Sequence, residues 1–139
     1  MKKLQVAVLI SGNGSNLQAL IDAVKATDYP AEITLVISNR PDAYGLERAQ
    51  NAGIETAVVD HKNYVNRKAF EAALQGELLK QPVDLICLAG FMRILNAEFV
   101  EYWRDRIINI HPSLLPAYKG LNTFQRAIDD GVRFAGCTI

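Results

Sequence analysis

The chain has 139 residues, half of them hydrophobic, and its 15 basic and 15 acidic residues cancel to a net charge of zero. This length and composition predict one globular domain with its own core, over residues 1–139. The charge balance argues against a nucleic-acid-binding protein, and the apolar runs are too short to predict a membrane span or a secretion signal.

Short apolar runs alternate along the chain with amphipathic segments, which predicts strands that alternate with helices. Strands are predicted at residues 4–10, 33–37, 54–59, 83–89 and 107–110. Helices are predicted to begin at Ser15 and to cover residues 43–52, 66–80, 96–103 and 122–130. This order indicates the α/β class, with a doubly wound, mainly parallel sheet between two helix layers, a three-layer αβα arrangement. Ligands bind beyond the carboxyl ends of such strands, so residues 11–16, 90–95 and 111–121 are expected at one rim.

Local patterns predict where some of these elements begin and end. Ser15 followed by Gln18 has the form of a capping box at the start of the first helix, and Asn122 has the residue type of an N-cap for the last one. Residues 134–139 form an apolar, strand-like run that stops at Ile139. We therefore expect the chain to be the N-terminal portion of a longer protein, with an open strand edge that favours association.

The first loop, residues 11–16, follows a strand, contains Gly12 and Gly14, and precedes a helix. The third glycine of a dinucleotide fingerprint is absent, because Leu17 stands in its place. The free amides of Gly14, Ser15 and Asn16 at a helix N-terminus are suited to hold one phosphate. The alternative is a tight structural turn before a capped helix.

The second loop contains Met92, Arg93, Ile94 and Leu95 after a buried strand. Arg93 is suited to bind an anion, and its apolar neighbours are suited to line a flat, ring-containing ligand. The alternatives are an arginine that packs over the loop and apolar side chains that belong to the core. Outside this loop, Arg67 and His61 are interpreted as surface residues on polar segments, while Cys87 and Cys137 are predicted to be buried, reduced thiols of a cytoplasmic protein.

The third loop begins at a strand end with Asn109 and His111, which point to the same side in an extended chain. The amide of Asn109 donates hydrogen bonds, and the imidazole of His111 can accept or release a proton. Pro112 favours extended backbone at His111 and Pro116 stiffens the exit. A donor beside a base suits an acyl-type transfer, and a structural, hydrogen-bonding histidine is the alternative.

Taken together, residues 12–18, 88–95 and 109–116 resemble the phosphoribosylglycinamide formyltransferase family of folate-dependent enzymes, and the resemblance runs from Leu4 to Ile139. It implies a Rossmann-like formyltransferase fold. It also implies transfer of a formyl group from the co-substrate 10-formyltetrahydrofolate to the amine of glycinamide ribonucleotide, in purine biosynthesis and without a metal. A homodimer is left open.

The resemblance also implies roles by position. By position, His111 and Asn109 resemble the catalytic pair, and Asn109 is also implied to contact the folate. The remaining implied contacts are Gly14, Ser15 and Asn16 for the ribonucleotide, Arg67 for the ribonucleotide or folate side of the site, and Met92, Arg93, Ile94 and Leu95 for the folate.

The sequence departs from the family pattern in two places, and two alternative functions are considered beside the leading one. The catalytic aspartate of the family is expected just beyond Ile139, and Phe124 stands where relatives often have histidine. A sister enzyme, either 10-formyltetrahydrofolate hydrolase or methionyl-tRNA formyltransferase, is one alternative. A non-catalytic ribonucleotide-binding fragment is the other.

Overall fold

A computed structural model describes residues 2–139, which form two compact units. We call residues 2–108 the first unit and Asn109–Ile139 the second unit. The chain runs in the order β1 Leu4–Ile10, α1 Ser15–Ala23, β2 Ala31–Ser38, α2 Tyr44–Asn51, β3 Glu55–Val58, α3 Arg67–Leu78, β4 Leu85–Leu88, α4 Ala97–Tyr102, β5 Ile107–Asn109 and α5 Thr123–Asp129. A single 3₁₀ turn, His61–Asn63, lies between β3 and α3. That residues 1–139 form one domain stays a prediction.

The five strands form one parallel sheet in the order β3-β2-β1-β4-β5. The order reverses between β1 and β4, because the chain first builds the sheet outward from β1 to β3 and then crosses to the other side of β1. The predicted doubly wound architecture is confirmed. The loops that follow β1 and β4 flank the reversal point, which is where ligands of such sheets bind.

Strand β1 supplies both faces of the core, because successive side chains of a strand point to opposite sides. Val6, Val8 and Ile10 belong to one buried cluster, together with side chains of α1 and α2. Ala7 and Leu9 belong to the other, together with side chains of α3 and α4. The sheet of the first unit is therefore covered on both faces, as the continuous apolar sequence of β1 predicts.

Helix α3 confirms its predicted apolar face. Phe70, Leu74 and Leu78 lie one turn apart and are all buried. The largest side chain packed in the same cluster is Trp103, whose indole N–H donates to Gln75 Oε1 at 2.7 Å. That bond gives the buried indole N–H a hydrogen-bond partner, which offsets the free-energy cost of removing it from water.

The predicted capping by Ser15 and Asn122 is wrong. Gly14 is the N-cap of α1, in the left-handed region at φ 77°, so Ser15 already lies inside the first turn. Asn122 occupies the N-cap position of α5 but at φ 54°, and its side chain makes no capping bond. A side-chain cap normally needs extended backbone, which neither N-cap residue has. By contrast, Asn66 and Asn96 are extended and do cap α3 and α4.

Three predictions of burial or strand structure near the end of the chain are also wrong. Residues 134–139 form no strand beyond an isolated antiparallel bridge between His111 and Thr138, and Phe134 is 84% exposed. The predicted buried strand at 107–110 has Ile108 and Asn109 exposed. Cys137 is exposed as well, whereas Cys87 is buried as predicted. Hydrophobic sequence alone does not bury a side chain where no other element of the unit packs against it.

Candidate functional site

The glycine loop after β1 is fixed by close contact with the start of α2. Gly45 N–H donates to the carbonyl of Gly12 at 3.0 Å. A Cβ added to Gly14 would meet Gly45 Cα at 2.7 Å, so the two backbones approach as only glycines allow. Arg48 then donates from Nε to the carbonyl of Asn13 at 2.8 Å. The loop is therefore held from outside by α2, with its own amides left to other partners.

Those amides belong to the first turn of α1. Gly14 makes no side-chain capping bond and the first turn carries no acidic residue. The N–H groups at a helix start and the positive end of the helix dipole favour an anion. Ser15 and Asn16 are exposed in this turn. The geometry of Gly14, Ser15 and Asn16 thus suits the predicted phosphate role.

The loop after β4, residues 90–95, divides between core and surface. Phe91 and Leu95 are half-buried and pack against the core cluster of α3 and α4. Met92 and Ile94 are 67% and 77% exposed. Both interpretations of this apolar run are therefore partly right: two side chains belong to the core, and two present apolar surface.

The two arginines predicted to bind substrate are both exposed. The Arg93 guanidinium lies over the ring of Phe70, a residue of α3, at 5.9 Å from its centre. Arg67 is the first residue of α3. Neither position buries the charge, so both guanidinium groups stay accessible to an anionic ligand.

Ser11 joins the loops after β1 and β4. It is buried, and its Oγ accepts the backbone N–H of Met92 at 2.8 Å. The same hydroxyl donates to Oδ1 of Asn39, at the end of β2. The expectation that these two loops meet at one rim is confirmed. That residues 111–121 join them stays a prediction.

His61 extends this network to the end of β3. Its Nδ1 lies 3.1 Å from Asn39 Nδ2 and 3.1 Å from the Asn39 carbonyl oxygen. Asn39 is buried and His61 is half-buried. His61 therefore lies in the polar loop, as predicted, with its ring half-buried against the amide of Asn39.

In the second unit, His111 is held through both its backbone and its ring. Its backbone N–H and carbonyl pair with the carbonyl and N–H of Thr138, both at 2.8 Å. Its Nε2 lies 3.0 Å from the carbonyl oxygen of Tyr118. A carbonyl only accepts, so Nε2 is the donor in this bond, and Nδ1 is the ring nitrogen left to exchange a proton with a substrate. His111 is half-buried and Asn109 is exposed.

Side chains that bond to backbone carbonyls hold the segment after His111. Thr123 Oγ1 donates to the Pro112 carbonyl at 2.7 Å, and Thr138 Oγ1 donates to the Ser113 carbonyl at 2.6 Å. Tyr118 donates its phenol O–H to Asp130 Oδ2 at 2.9 Å, and this bond raises the pKa of the phenol. The second unit also contains a groove of about 470 Å³, whose lining includes Phe124 and Phe134.

Residues 2–139 contain neither a membrane-spanning helix nor a cluster of metal-ligating side chains. No helix among them is long and apolar enough to cross a membrane. In the same part of the chain, no three His, Cys, Asp or Glu side chains are grouped so as to hold a metal ion.

Sequence reasoning missed the residues that organise the strand ends. Ser11, Asn39 and Glu71 are buried polar residues to which no motif assigned a role. Glu71 accepts the backbone N–H of Asn96 at 2.6 Å, just after the loop of residues 90–95. A usable signal was present for Asn39, because it lies two residues after the predicted strand 33–37, and parallel sheets collect functional side chains at their strand ends.

Comparison with known proteins gives a consistent result. Residues 4–139 match the formyl transferase family. The chain is 52% identical over 139 residues to phosphoribosylglycinamide formyltransferase of Haemophilus influenzae, covering all of this chain and 65% of that protein. It is 51% identical over 138 residues to the human trifunctional purine biosynthetic protein adenosine-3, covering 99% of this chain and 14% of that protein.

Solved structures of phosphoribosylglycinamide formyltransferases are also similar to this chain. The crystal structure of phosphoribosylglycinamide formyltransferase from Brucella melitensis has a TM-score of 0.94 and 47% sequence identity. The match covers 99% of this chain and 71% of that one. The chain thus spans about two thirds of the length of the bacterial proteins that it resembles, and a small part of the trifunctional protein.

Proposed function

Because the chain belongs to the formyl transferase family, among the phosphoribosylglycinamide formyltransferases, we propose that it transfers a formyl group in purine biosynthesis. The donor is 10-formyltetrahydrofolate, and the acceptor is the amine of glycinamide ribonucleotide. The observation that carries this proposal is the similarity at 47% identity across 99% of the chain to a solved enzyme of that name.

The reaction requires two proton transfers and the stabilisation of one developing negative charge. The acceptor amine attacks the formyl carbon, a new C–N bond forms, and the bond from that carbon to the folate nitrogen then breaks. The amine loses one proton and the folate nitrogen gains one. We assign these transfers to His111, whose Nδ1 lone pair is free while Nε2 donates to the Tyr118 carbonyl.

We assign the stabilisation of the negative charge on the formyl oxygen to Asn109. The formyl oxygen becomes negative in the tetrahedral state, and an amide N–H aimed at it stabilises that state more than the substrate. Asn109 is exposed, so its amide is free to meet this oxygen and the formyl-bearing part of the folate. Loss of such a donor costs roughly 100- to 1,000-fold in kcat.

Substrate binding is assigned to the first unit. Gly14, Ser15 and Asn16 would hold the phosphate of the ribonucleotide, because their amides start α1 without an acidic side chain in the first turn. Arg67, exposed at the start of α3, would add a positive charge for the ribonucleotide.

The reduced folate is assigned to the loop after β4. Met92 and Ile94 present apolar surface for its ring system, and Arg93 is exposed for its acidic groups. Leu95 is half-buried and supports the loop against the core cluster. Tetrahedral acyl transfer between two bound substrates needs no metal and no covalent enzyme intermediate.

Acceptor specificity tests the proposal against the sister enzymes. The protein is mixed with 10-formyltetrahydrofolate and with glycinamide ribonucleotide, water alone or charged initiator tRNA, and the formylated product is measured. We expect product with the ribonucleotide only. Formate release without an acceptor would indicate the hydrolase, formyl-methionyl-tRNA would indicate the tRNA enzyme, and ribonucleotide binding without turnover would indicate a binding protein.

We further propose that the protein works in the cytoplasm, on small molecules rather than on nucleic acid or membranes. Its zero net charge supports the first exclusion, because nucleic-acid binding relies on an excess of basic residues. A homodimer stays a prediction. Sedimentation at two protein concentrations decides it, since a dimer gives twice the monomer mass.

A further inference from the structure

Past the end of the sheet ladder, one buried side chain continues the pairing of β1 with β4. The last backbone bond between these neighbours runs from Ala89 N–H to the Leu9 carbonyl, at 2.9 Å. Two residues beyond Leu9, the Ser11 hydroxyl accepts the N–H of Met92 at 2.8 Å. We propose that Ser11 is a positioning residue for folate binding, which it serves by holding the backbone of Met92. This inference rests on the proposed function.

The Ser11 hydroxyl is itself fixed in direction. It is 4% exposed, and its single proton goes to Oδ1 of Asn39. With the proton committed there, the oxygen lone pairs face Met92. Asn39 is 2% exposed, and its Nδ2 donates to His61 Nδ1 at 3.1 Å in the tautomer that carries the ring proton on Nε2. A buried serine alone can rotate its hydroxyl, whereas this one is held by a buried amide and a ring.

The bond matters because the loop that it holds is otherwise open. Met92 and Ile94 are 67% and 77% exposed, so few packing contacts order them. Two buried side chains hold the backbone instead: Ser11 at Met92, and Glu71 at Asn96. A loop that is ordered before binding loses less conformational entropy when the ligand arrives. Ser11 therefore acts on the affinity for the folate, through the backbone that carries Met92.

A nearby serine gives a matched control. Ser38 is also buried and also ends a strand of the sheet, at the last residue of β2. Its hydroxyl donates to the Arg40 carbonyl at 2.7 Å and accepts the Arg40 N–H at 3.0 Å. Ser38→Ala thus removes a buried hydroxyl of the same size that serves only the turn after β2, whereas Ser11→Ala removes the bond to Met92.

Two readouts test the proposal in the complete protein. The first is amide hydrogen exchange at Met92, which needs no activity. Ser11→Ala is expected to speed exchange at this amide by about fivefold or more, the value of one ordinary hydrogen bond, while Ser38→Ala leaves it unchanged. Equal exchange in both variants overturns the proposal.

The second readout is the split of the kinetic constants. Ser11→Ala is expected to raise the KM for 10-formyltetrahydrofolate by about fivefold, with a smaller change in the KM for the ribonucleotide and in kcat. An unchanged folate KM, or an equal rise in both KM values, overturns the role in folate binding. If Ser11→Ala does not fold, Ser11→Cys keeps the size but offers only a weak acceptor, and the same expectations apply.

These outcomes separate the two proposals. A wild-type protein that transfers no formyl group overturns the proposed function, and with it the role of Ser11 in folate binding. In that case, exchange at Met92 still shows whether Ser11 holds the loop.

Discussion

Each of the two units of the molecule is stabilised internally by a different kind of interaction. Both apolar clusters lie entirely in the first unit, where the sheet has helices on each face. In the second unit the buried residues are Ser113, Thr123 and Ala127, of which two are polar. Apolar burial stabilises the first unit, and hydrogen bonds from side chains to backbone carbonyls hold much of the second.

This difference matters because the residues assigned to binding and to chemistry divide along the same line. The phosphate and folate loops extend from strands with a packed core beneath them. The pair assigned to catalysis, Asn109 and His111, begins the unit with little buried apolar surface. Segments of low contact density open locally at small cost in free energy. We expect the second unit to open more readily than the first.

Two isoleucines give the largest expected difference in stability. Ile37 is fully buried in β2, and Ile128 is 71% exposed in α5. Ile37→Ala should lower the free energy of unfolding by about 2–5 kcal/mol, because it removes buried carbon atoms and leaves a cavity. Ile128→Ala should change it by less than about 0.5 kcal/mol. Urea denaturation measures both free energies of unfolding. Similar losses would contradict the stated difference in packing between the two units.

The labelling rates of the two cysteines test the difference between the units without a stability measurement. Cys87 lies in β4, where burial raises the pKa of its thiol and keeps it protonated, whereas Cys137 is exposed. A thiol reagent at neutral pH should modify Cys87 at least about tenfold more slowly than Cys137, because the reactive thiolate must first be exposed. Mass spectrometry after timed labelling reports each site, and Cys87→Ser and Cys137→Ser confirm the assignment. Equal rates would show that the core of the first unit opens as easily as the second.

Two threonines test the part played by hydrogen bonds. Thr123 donates to the Pro112 carbonyl in the second unit, whereas Thr34 in β2 has a buried hydroxyl without a hydrogen-bond partner among the described residues. Thr123→Val should lower the free energy of unfolding by about 1 kcal/mol. Thr34→Val should leave it unchanged or raise it, since valine has no polar group to desolvate. Thermal unfolding of the two variants decides, and a loss only in Thr34→Val would contradict this account.

The same contrast explains how far the sequence predicts the structure. The alternation of apolar runs and amphipathic helices predicts the doubly wound sheet, and the face formed by Phe70, Leu74 and Leu78 is correct. These are local periodicities that burial enforces. In the second unit no core enforces them, so the apolar residues 134–139 form no strand and Cys137 is exposed.

The candidate site follows a similar division. Motif spacing singles out the glycine loop, the loop after β4 and the pair Asn109 and His111. It does not predict the role of Ser11, the first residue of the glycine loop, because the bond to Met92 joins residues 81 positions apart and depends on the strand order. Nor does it predict the contact of His61 with Asn39, which depends on the pairing of β2 with β3. Contacts between distant loops follow from the topology, which sequence spacing does not encode.

The most direct test of the central claim is the rate of formyl transfer in His111→Ala. The control is Lys119→Ala, an exposed position in the same unit. We expect His111→Ala to lower kcat/KM by about 100-fold or more, because the proton transfers lose their base and acid, while Lys119→Ala stays near wild type. Ribonucleotide binding, measured by calorimetry, should persist in both variants. A near-normal kcat/KM in His111→Ala would contradict the account.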